Sequence, residues 1–417
     1  MVSRNDKFVV EDLVVPRWGR VVTAEGVVPF YVVDDAGEVL APVSEFLQDF
    51  VARGNSAGSV RSYSFVLLRW WRWLRVVEVP WQRATSDEVR DLVLWLLQTS
   101  KPRNSARTAS LATVGTVNTV TRKPYLNDRY AARTVRHNNA VLRSFYEYWI
   151  ERGEGPLLNP VAQNRRGGRF PVTRRSSAEP FRDAGRLRYN PKVPRRFPRA
   201  VPDERWDELF AALQSDRDRA MLALAVSSAA RAGELLGLRF CDVDWGDQLI
   251  RVVRKGTRAQ QWIPASSEAF VWLRLVIAAH PSGRAADPVW WTLRRRDRGT
   301  GLRVQPLSYD ALRAVLRRAN TRLATNWTMH DLRHTCAIRM LRDARLSLRD
   351  IQMILGHSHL STTQLYLDQD DHEMISRVHE HLKTVGDRPP ATAVVSSPDG
   401  AGYDAADLAV LFGQVPS

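Results

Sequence analysis

A stretch of forty residues, 161–200, divides this 417-residue chain into two parts. It contains five prolines and twelve cationic side chains against two acidic ones, a net charge of 12 − 2 = +10. Prolines at this density oppose regular helices and strands, whereas apolar residues recur at helical spacing on both sides. The sequence therefore predicts two globular units joined by a basic linker. Such a linker suits contact with a phosphate backbone; a merely solvated linker is the alternative.

The whole chain is also basic, with 61 Lys and Arg against 45 Asp and Glu, a net charge of +16. This charge is typical of proteins that meet a polyanion, above all nucleic acid, with a membrane surface as the alternative. No apolar run reaches the roughly 18 residues of a membrane-spanning helix, and the N-terminus lacks the apolar core of a signal peptide. Two cysteines exclude a disulfide scaffold. We therefore expect a cytoplasmic protein that does not enter the membrane.

Hydrophobic periodicity predicts a mainly α fold with a small antiparallel β-sheet in the second unit. Val27–Val33 and Glu38–Leu40 predict a β-hairpin, and Leu249–Val253 and Gln260–Ile263 predict two strands around a turn. The predicted segments are an N-terminal β-hairpin extension (1–40), a helical domain (41–160) with a loop insertion (99–128), the basic linker (161–200), a second domain (201–385) and a C-terminal tail (386–417).

Four short segments of the second domain carry side chains suited to phosphate chemistry. They contain Arg231 and Glu234; Lys255; His330, Arg333 and His334; and His357, with Tyr366 nine residues later. Residues three or four apart share a face of a helix, so the first and third segments each direct their polar groups to one side. Taken singly, each residue has an ordinary explanation, such as a surface ion pair or a half-buried tyrosine. Their order and spacing taken together are specific.

This combination of His-x-x-Arg, Leu-Gly-His and a following tyrosine resembles the tyrosine recombinase, or phage integrase, family. The resemblance covers about residues 200–385 and extends more loosely to 43–160, which is similar to that family's helical core-binding domain. It implies a two-domain, C-shaped clamp on DNA with the tyrosine recombinase catalytic fold. The leading hairpin is similar to those on recombinases of transposon-like elements.

The resemblance implies a site that cleaves and rejoins DNA through a 3′-phosphotyrosine. The residues implied to surround the scissile phosphate are Arg231, Lys255, His330, Arg333 and His357, with Tyr366 as nucleophile and Glu234 as a supporting acid. Paired arginines stabilise charge that develops on phosphoryl oxygens, and a tyrosine with a pKa of about 10 needs a base or a cationic field.

Each implied role fits the chemistry of its side chain. His330 is the expected proton acceptor, His357 a hydrogen-bond donor to phosphate, and Lys255 the general acid for the leaving 5′-oxygen. Arg254 and Arg258 leave the identity of that acid open. Because the energy stays in the covalent bond, no nucleotide is required, and neither a cofactor nor a metal ion is expected.

The expected partner is double-stranded DNA with specific recombination sites. The family implies a homotetramer assembled on DNA, and an accessory directionality factor is a further expected partner; the protein would lie with the nucleoid. The linker arginines predicted to contact DNA are Arg165, Arg166, Arg174, Arg175, Arg195 and Arg196.

Two positions depart from the family pattern, and two other functions stay open. Ala229 and Arg254 stand where the family often has glycine. His330 and His334 have the i, i+4 spacing of a zinc-binding helix, with His357 as a third ligand, so a metal hydrolase is one alternative. A catalytically silent DNA-binding regulator derived from a recombinase is another. A type IB topoisomerase uses related chemistry, but the Leu-Gly-His segment and the N-terminal helical domain favour a recombinase.

Overall fold

The computed structural model describes residues 13–101, 112–163, 187–194, 199–279, 284–295, 301 and 303–357. These residues form helices and two small antiparallel sheets, so the predicted mainly α fold class is confirmed. Tyr366 and the six linker arginines predicted to contact DNA lie outside the described residues. No helix within the described ranges is long and apolar enough to cross a membrane.

Two large apolar cores organise the described chain. The first extends from Val28 to Val161 and the second from Val201 to Leu332. The helices of the first core are α1 (Ala41–Ala52), α2 (Ala57–Val76), α3 (Ser86–Gln98) and α4 (Ala132–Glu151). Helix α3 begins at a capping box, in which Thr85 and Glu88 satisfy backbone N–H groups that the first turn leaves unpaired.

The N-terminal hairpin differs from the one that the sequence predicts. Strand β1 (Arg20–Thr23) pairs antiparallel with β2 (Phe30–Val33), whereas the segment predicted to follow contributes only a bridge between Val33 and Val39. Arg20–Thr23 is too short for alternation to identify it as a strand. The hairpin also packs into the first core through the buried Val32, so it forms part of the helical unit.

The second unit contains seven helices and one three-stranded sheet in the described chain. In chain order these are α5 (Asp203–Ala211), α6 (Asp216–Ser228), α7 (Ala232–Leu236), β3 (Val243–Asp244), β4 (Leu249–Val253), β5 (Gln260–Pro264), α8 (Ser267–Ala278), α9 (Tyr309–Leu323), α10 (Met329–Arg342) and α11 (Leu348–Leu355). The antiparallel sheet has the order β3-β4-β5. Helix α6 is buried almost all round because it packs between α8 and α10.

The described part of the predicted 99–128 insertion contacts the second unit. The Asn118 side-chain amide donates to the Ala324 carbonyl at 2.8 Å, and the ammonium of Lys123 lies 2.5 Å from the Asp331 carboxylate. Asn326 returns a hydrogen bond to the Lys123 carbonyl at 3.1 Å. This segment therefore joins the two units at the first turn of α10.

Candidate active site

Arg231 and Glu234 meet at the start of α7. Arg231 is the residue before the first helical position, and Glu234 reaches back to accept its backbone N–H at 2.9 Å and its guanidinium at 2.8 Å. The two side chains are joined as a helix cap and not, as the spacing predicted, as neighbours on one helical face. The carboxylate is 2% exposed and the guanidinium 30%, so the arginine presents its outer side to solvent.

Glu234 remains ionised despite its burial. Burial by itself raises the pKa of this carboxyl, but the hydrogen bonds from Arg231 and the charges of Arg231 and Arg254 together lower it below its usual value. A buried carboxylate held by two guanidinium groups keeps both of them in place.

Arg333 is the most deeply buried cation of the candidate site. Arg333 lies on α10 and is only 2% exposed. Its guanidinium donates to the carbonyls of Ala229 and Leu355. These carbonyls belong to the C-terminal ends of α6 and α11, where helices leave carbonyl groups unpaired. The partial negative charge of two helix ends therefore holds the arginine.

Ala229 adopts a left-handed backbone conformation, with φ of 56°. This geometry costs about 1 kcal/mol for a residue with a Cβ, which explains why glycine is common at this position of the family. The residue is fully buried, and its carbonyl accepts the hydrogen bond from Arg333.

His357 follows the end of α11 directly. Gly356 ends the helix with φ of 59°, and the His357 N–H returns to the Gln352 carbonyl at 3.1 Å. The Nε2 atom of His357 lies 3.2 Å from the Arg333 guanidinium. Burial, followed by the charges of Arg333 and Arg231, lowers the pKa of His357 to about 4, so the ring is neutral at pH 7.

His330 and His334 stack edge to face in α10, with ring centroids 4.2 Å apart. Burial away from water lowers the pKa of His330, and the charge of Arg333 lowers it further. Burial, followed by the charge of His330, lowers the pKa of His334 to about 3. Both rings are therefore neutral at pH 7, and a neutral His330 has the capacity to accept a proton.

The β4–β5 hairpin carries Lys255 at its tip. Lys255 is exposed, while its backbone N–H lies within 3.5 Å of the Glu234 carboxylate. Arg254 is buried and each of its nitrogens already donates to a protein acceptor, which removes it as a candidate general acid. Arg258 is exposed and adopts φ of 59° in the turn.

The described candidate residues converge on one region. The charges of Arg231 and Arg333 each lower the pKa of both His330 and His357, so these four groups lie within electrostatic reach of one another. Lys255 joins them through the shared contact with Glu234. The candidate nucleophile, Tyr366, lies beyond the last described residue.

Sequence reasoning missed Lys123, which contacts the carboxylate next to His330. Asp331 also accepts from the Thr328 backbone and hydroxyl, both at 2.7 Å. The Thr-x-x-Asp pattern was a readable signal for this cap. No local sequence pattern indicated the role of Lys123, because it is 208 positions away from Asp331 in the sequence.

A metal site was the basis of one alternative function. Among the described residues, no group of three His, Cys, Asp or Glu side chains has an arrangement suited to a metal ion.

Comparison with known proteins shows what this chain is similar to. Residues 201–373 match the model of the phage integrase family. The chain contains a phage integrase domain. Tyrosine recombinase XerC of Azotobacter vinelandii is 34% identical over 204 residues, which cover 48% of this chain and 62% of that protein. XerC of Chlamydia caviae is 26% identical over 298 residues, 69% of this chain and 75% of that protein.

Several of these matches cover only part of the relative's length. XerD of Proteus mirabilis is 30% identical over 193 residues, 44% of this chain and 59% of that protein. The chain thus spans about three-fifths of the length of several curated relatives, 62% and 59% in these two cases.

Two solved structures share the fold. The Tn1549 transposon integrase (aa 82–397), in complex with circular intermediate DNA, has a TM-score of 0.50 and 15% identity, and the match covers 80% of this chain and 98% of that one. The XerH site-specific recombinase, bound to a palindromic difH substrate, has a TM-score of 0.50 and 13% identity, with 83% and 85% covered. The predicted tyrosine recombinase catalytic fold is confirmed.

Proposed function

We propose that this protein is a site-specific tyrosine recombinase that cleaves and rejoins double-stranded DNA through a 3′-phosphotyrosine. The observation that carries the proposal is the convergence of Arg231 and Arg333 with two neutral histidines in a phage integrase domain. Two arginines within electrostatic reach of the same histidines suit a phosphodiester whose oxygens gain charge during transfer. The relatives named tyrosine recombinase support the same reaction.

In the proposed first step, the Tyr366 hydroxyl oxygen bonds to phosphorus and the bond from phosphorus to the 5′-oxygen breaks. His330 accepts the phenolic proton, a role that its lowered pKa supports because the neutral ring predominates at pH 7. The ammonium of Lys255 donates a proton to the leaving 5′-oxygen. Rejoining reverses these transfers with a 5′-hydroxyl from a second strand.

Arg333 and Arg231 stabilise the phosphoryl group in different ways. Arg333 is fixed by two helix ends before DNA binds, so little reorganisation is needed when charge develops. Arg231 is held on one side by Glu234 and is open on the other. In the present contact the Nε2 atom of His357 accepts from Arg333, so the neutral ring carries its proton on Nδ1 and donates from there.

The proposed substrate is double-stranded DNA with paired recombination sites. The fold shared with DNA-bound integrases and recombinases supports this partner. We also propose a homotetramer assembled on DNA, an accessory directionality factor and a location at the nucleoid in the cytoplasm. The arginines of the basic linker, Arg165, Arg166, Arg174, Arg175, Arg195 and Arg196, are proposed to contact the phosphate backbone, which makes binding strongly salt-dependent.

Covalent trapping tests the proposal. Wild type and Tyr366→Phe are expressed in cells and purified under denaturing conditions, and any attached DNA is sequenced. Tyr309→Phe is the matched control, because Tyr309 is an exposed tyrosine of the same domain. We expect DNA joined through one 3′ end, at a recurrent sequence, on wild type and on Tyr309→Phe only. Duplex binding without an adduct on any of the three proteins would contradict cleavage and support the catalytically silent regulator.

A further inference from the structure

Arg254 is a buried cation to which the reaction proposed above assigns no role. It lies between the last residue of β4 and Lys255, and it is 4% exposed. Its Nε donates to the Gln261 side chain at 2.9 Å, one terminal nitrogen to the Glu234 carboxylate at 3.1 Å, and the other to the Ile354 carbonyl at 2.6 Å. One side chain thus ties together β5, α7 and the end of α11.

The Arg254 contacts complete the cap on α11. The last three carbonyls of this helix belong to Met353, Ile354 and Leu355, and each accepts from a side chain of another element. The donors are Gln261, Arg254 and Arg333, respectively. Unpaired carbonyls at a helix end otherwise need water or a backbone cap. Cations at this end also complement the helix dipole.

Gly356 makes room for this arrangement. A Cβ built on Gly356 would lie 2.9 Å from Nε of Arg254, closer than real Cβ atoms approach, and 3.1 Å from its Cδ. The next residue is His357, so the arginine packs against the backbone that leads directly into the candidate site. The glycine and the arginine are therefore matched to each other.

The charge on Arg254 makes these contacts obligatory. Burial lowers the pKa of its guanidinium and the Glu234 carboxylate raises it, and an arginine stays charged in either case. A buried charge is tolerated only where its partners are correctly placed. The arginine therefore favours the one arrangement in which α7, the hairpin and the end of α11 are in register.

We propose that Arg254 is a positioning residue that couples the Lys255 hairpin and the Arg231–Glu234 pair to the backbone carrying His357. The inference rests on the proposed cleavage reaction for its effect on rate, but the coupling itself is a property of the free protein. Arg254 acts through Glu234 and the end of α11 and does not touch DNA. Its loss changes the chemical step and leaves DNA affinity intact.

The test uses full-length Arg254→Met and Arg254→Lys, with Arg251→Met as matched control. Arg251 lies on β4, three residues before Arg254, and pairs with Asp242, so it receives the same substitution outside the site. Hydrogen exchange is followed at the amides of Gly356 and His357 in the free protein. Cleavage is measured at saturating DNA on the sequence that trapping identifies, together with the Kd for that DNA.

We expect Arg254→Met to raise exchange at Gly356 and His357 at least 10-fold, while Arg251→Met leaves it unchanged. Cleavage at saturation falls 10- to 100-fold with the Kd within 3-fold of wild type, and Arg254→Lys recovers part of the rate. Unchanged exchange in a folded Arg254→Met protein overturns the inference, whatever the activity. Equal rates for wild type and Arg254→Met likewise overturn it.

A second variant covers the case in which Arg254→Met does not fold. Gln261→Ala removes one acceptor of Arg254 and the bond to Met353 while leaving the buried charge paired with Glu234. The same rise in exchange at His357 is expected, and its absence overturns the coupling. A wild-type protein that forms no Tyr366 adduct contradicts the proposed function, whereas the exchange result decides the coupling independently.

Discussion

The two units of the molecule have interiors of opposite character. The buried side chains of the N-terminal unit include the aromatic residues Trp70, Trp73, Phe46, Phe145 and Tyr146. Its buried polar residues, within the described ranges, are serine, threonine and asparagine. Aromatic pairs such as Phe46 and Phe145, whose ring centroids are 5.5 Å apart, make up much of its packing.

The phage integrase domain instead buries charge. Its buried charged side chains in the described chain are Arg217, Asp218, Glu234, Arg254, Asp331 and Arg333. Burying a charge lowers the stability of the fold unless the charged group finds partners. Here helix ends and opposite charges supply those partners. The N-terminal unit is therefore packed for stability, whereas the phage integrase domain holds charged groups in fixed positions at a cost in stability.

Removal of Arg333 should have the largest effect. We expect Arg333→Ala to slow DNA cleavage by about 10³- to 10⁵-fold, the range for an arginine that stabilises a phosphoryl transition state. Arg339→Ala, in the same helix but paired with Asp203 at the surface, is the control and should cleave at the wild-type rate. Single-turnover cleavage measures both, and a loss below 10-fold for Arg333→Ala would remove it from the site.

Truncation of Trp70 should destabilise the aromatic core. Trp70 is fully buried and its indole N–H donates to the Tyr146 hydroxyl at 2.8 Å. We expect Trp70→Ala to cost about 3–5 kcal/mol of stability, and calorimetry should show the loss in the transition of the N-terminal unit. Trp262→Ala, at an exposed position on β5, is the control. Equal losses in the two variants would contradict the division into two interiors.

Acid should destabilise the phage integrase domain through its histidines. The pKa of His334 is about 3 and that of His357 about 4 in the fold, below the value of about 6.5 for an unfolded histidine. The stabilisation is complete above pH 6.5 and falls with acid, because the unfolded chain takes up protons first. Each histidine adds a slope of up to about 1.4 kcal/mol per pH unit.

Denaturant unfolding of the DNA-free protein between pH 7 and 4 checks this slope. His334→Asn should flatten it. Glu234 acts in the same direction only below its usual pKa of 4.5, because its pKa is lowered in the fold. An identical slope in wild type and His334→Asn would show that His334 titrates normally.

Loss of the contact between the two units should have the smallest effect. Lys123→Met removes the ion pair with Asp331, whose carboxylate keeps its hydrogen bonds from Thr328. We expect a cost of about 1 kcal/mol and easier proteolysis in the 112–123 segment. Lys192→Met, at an exposed lysine, is the control. Proteolysis at the same rate in both variants would show that Lys123 does not fasten the segment.

Local sequence patterns predicted much of the fold. Helix α3 and strand β4 have the bounds that periodicity indicates, since each carries several turns or pairs of alternating apolar residues. The β1–β2 hairpin was predicted with the wrong partner for β2, because four-residue strands carry too little pattern. The extent of the domains stays a prediction.

The candidate site was predictable in its residues but not in its supports. Arg231, His330, Arg333 and His357 were identified from spacing and resemblance, and the fold brings them within electrostatic reach. Their supports come from distant segments, and no local pattern reports such contacts. Arg254 looked from the sequence like a departure from the family, or an alternative general acid.

Composition and short-range spacing account for the basic charge and for the residue types of the candidate site, and they predict two units. The three-dimensional fold was needed to show which helix ends hold Arg333, why Arg254 is buried and which residues Lys123 contacts. The reason is physical: a buried charge is stabilised by groups that converge in space, and for Lys123 and Asp331 those groups are 208 positions apart.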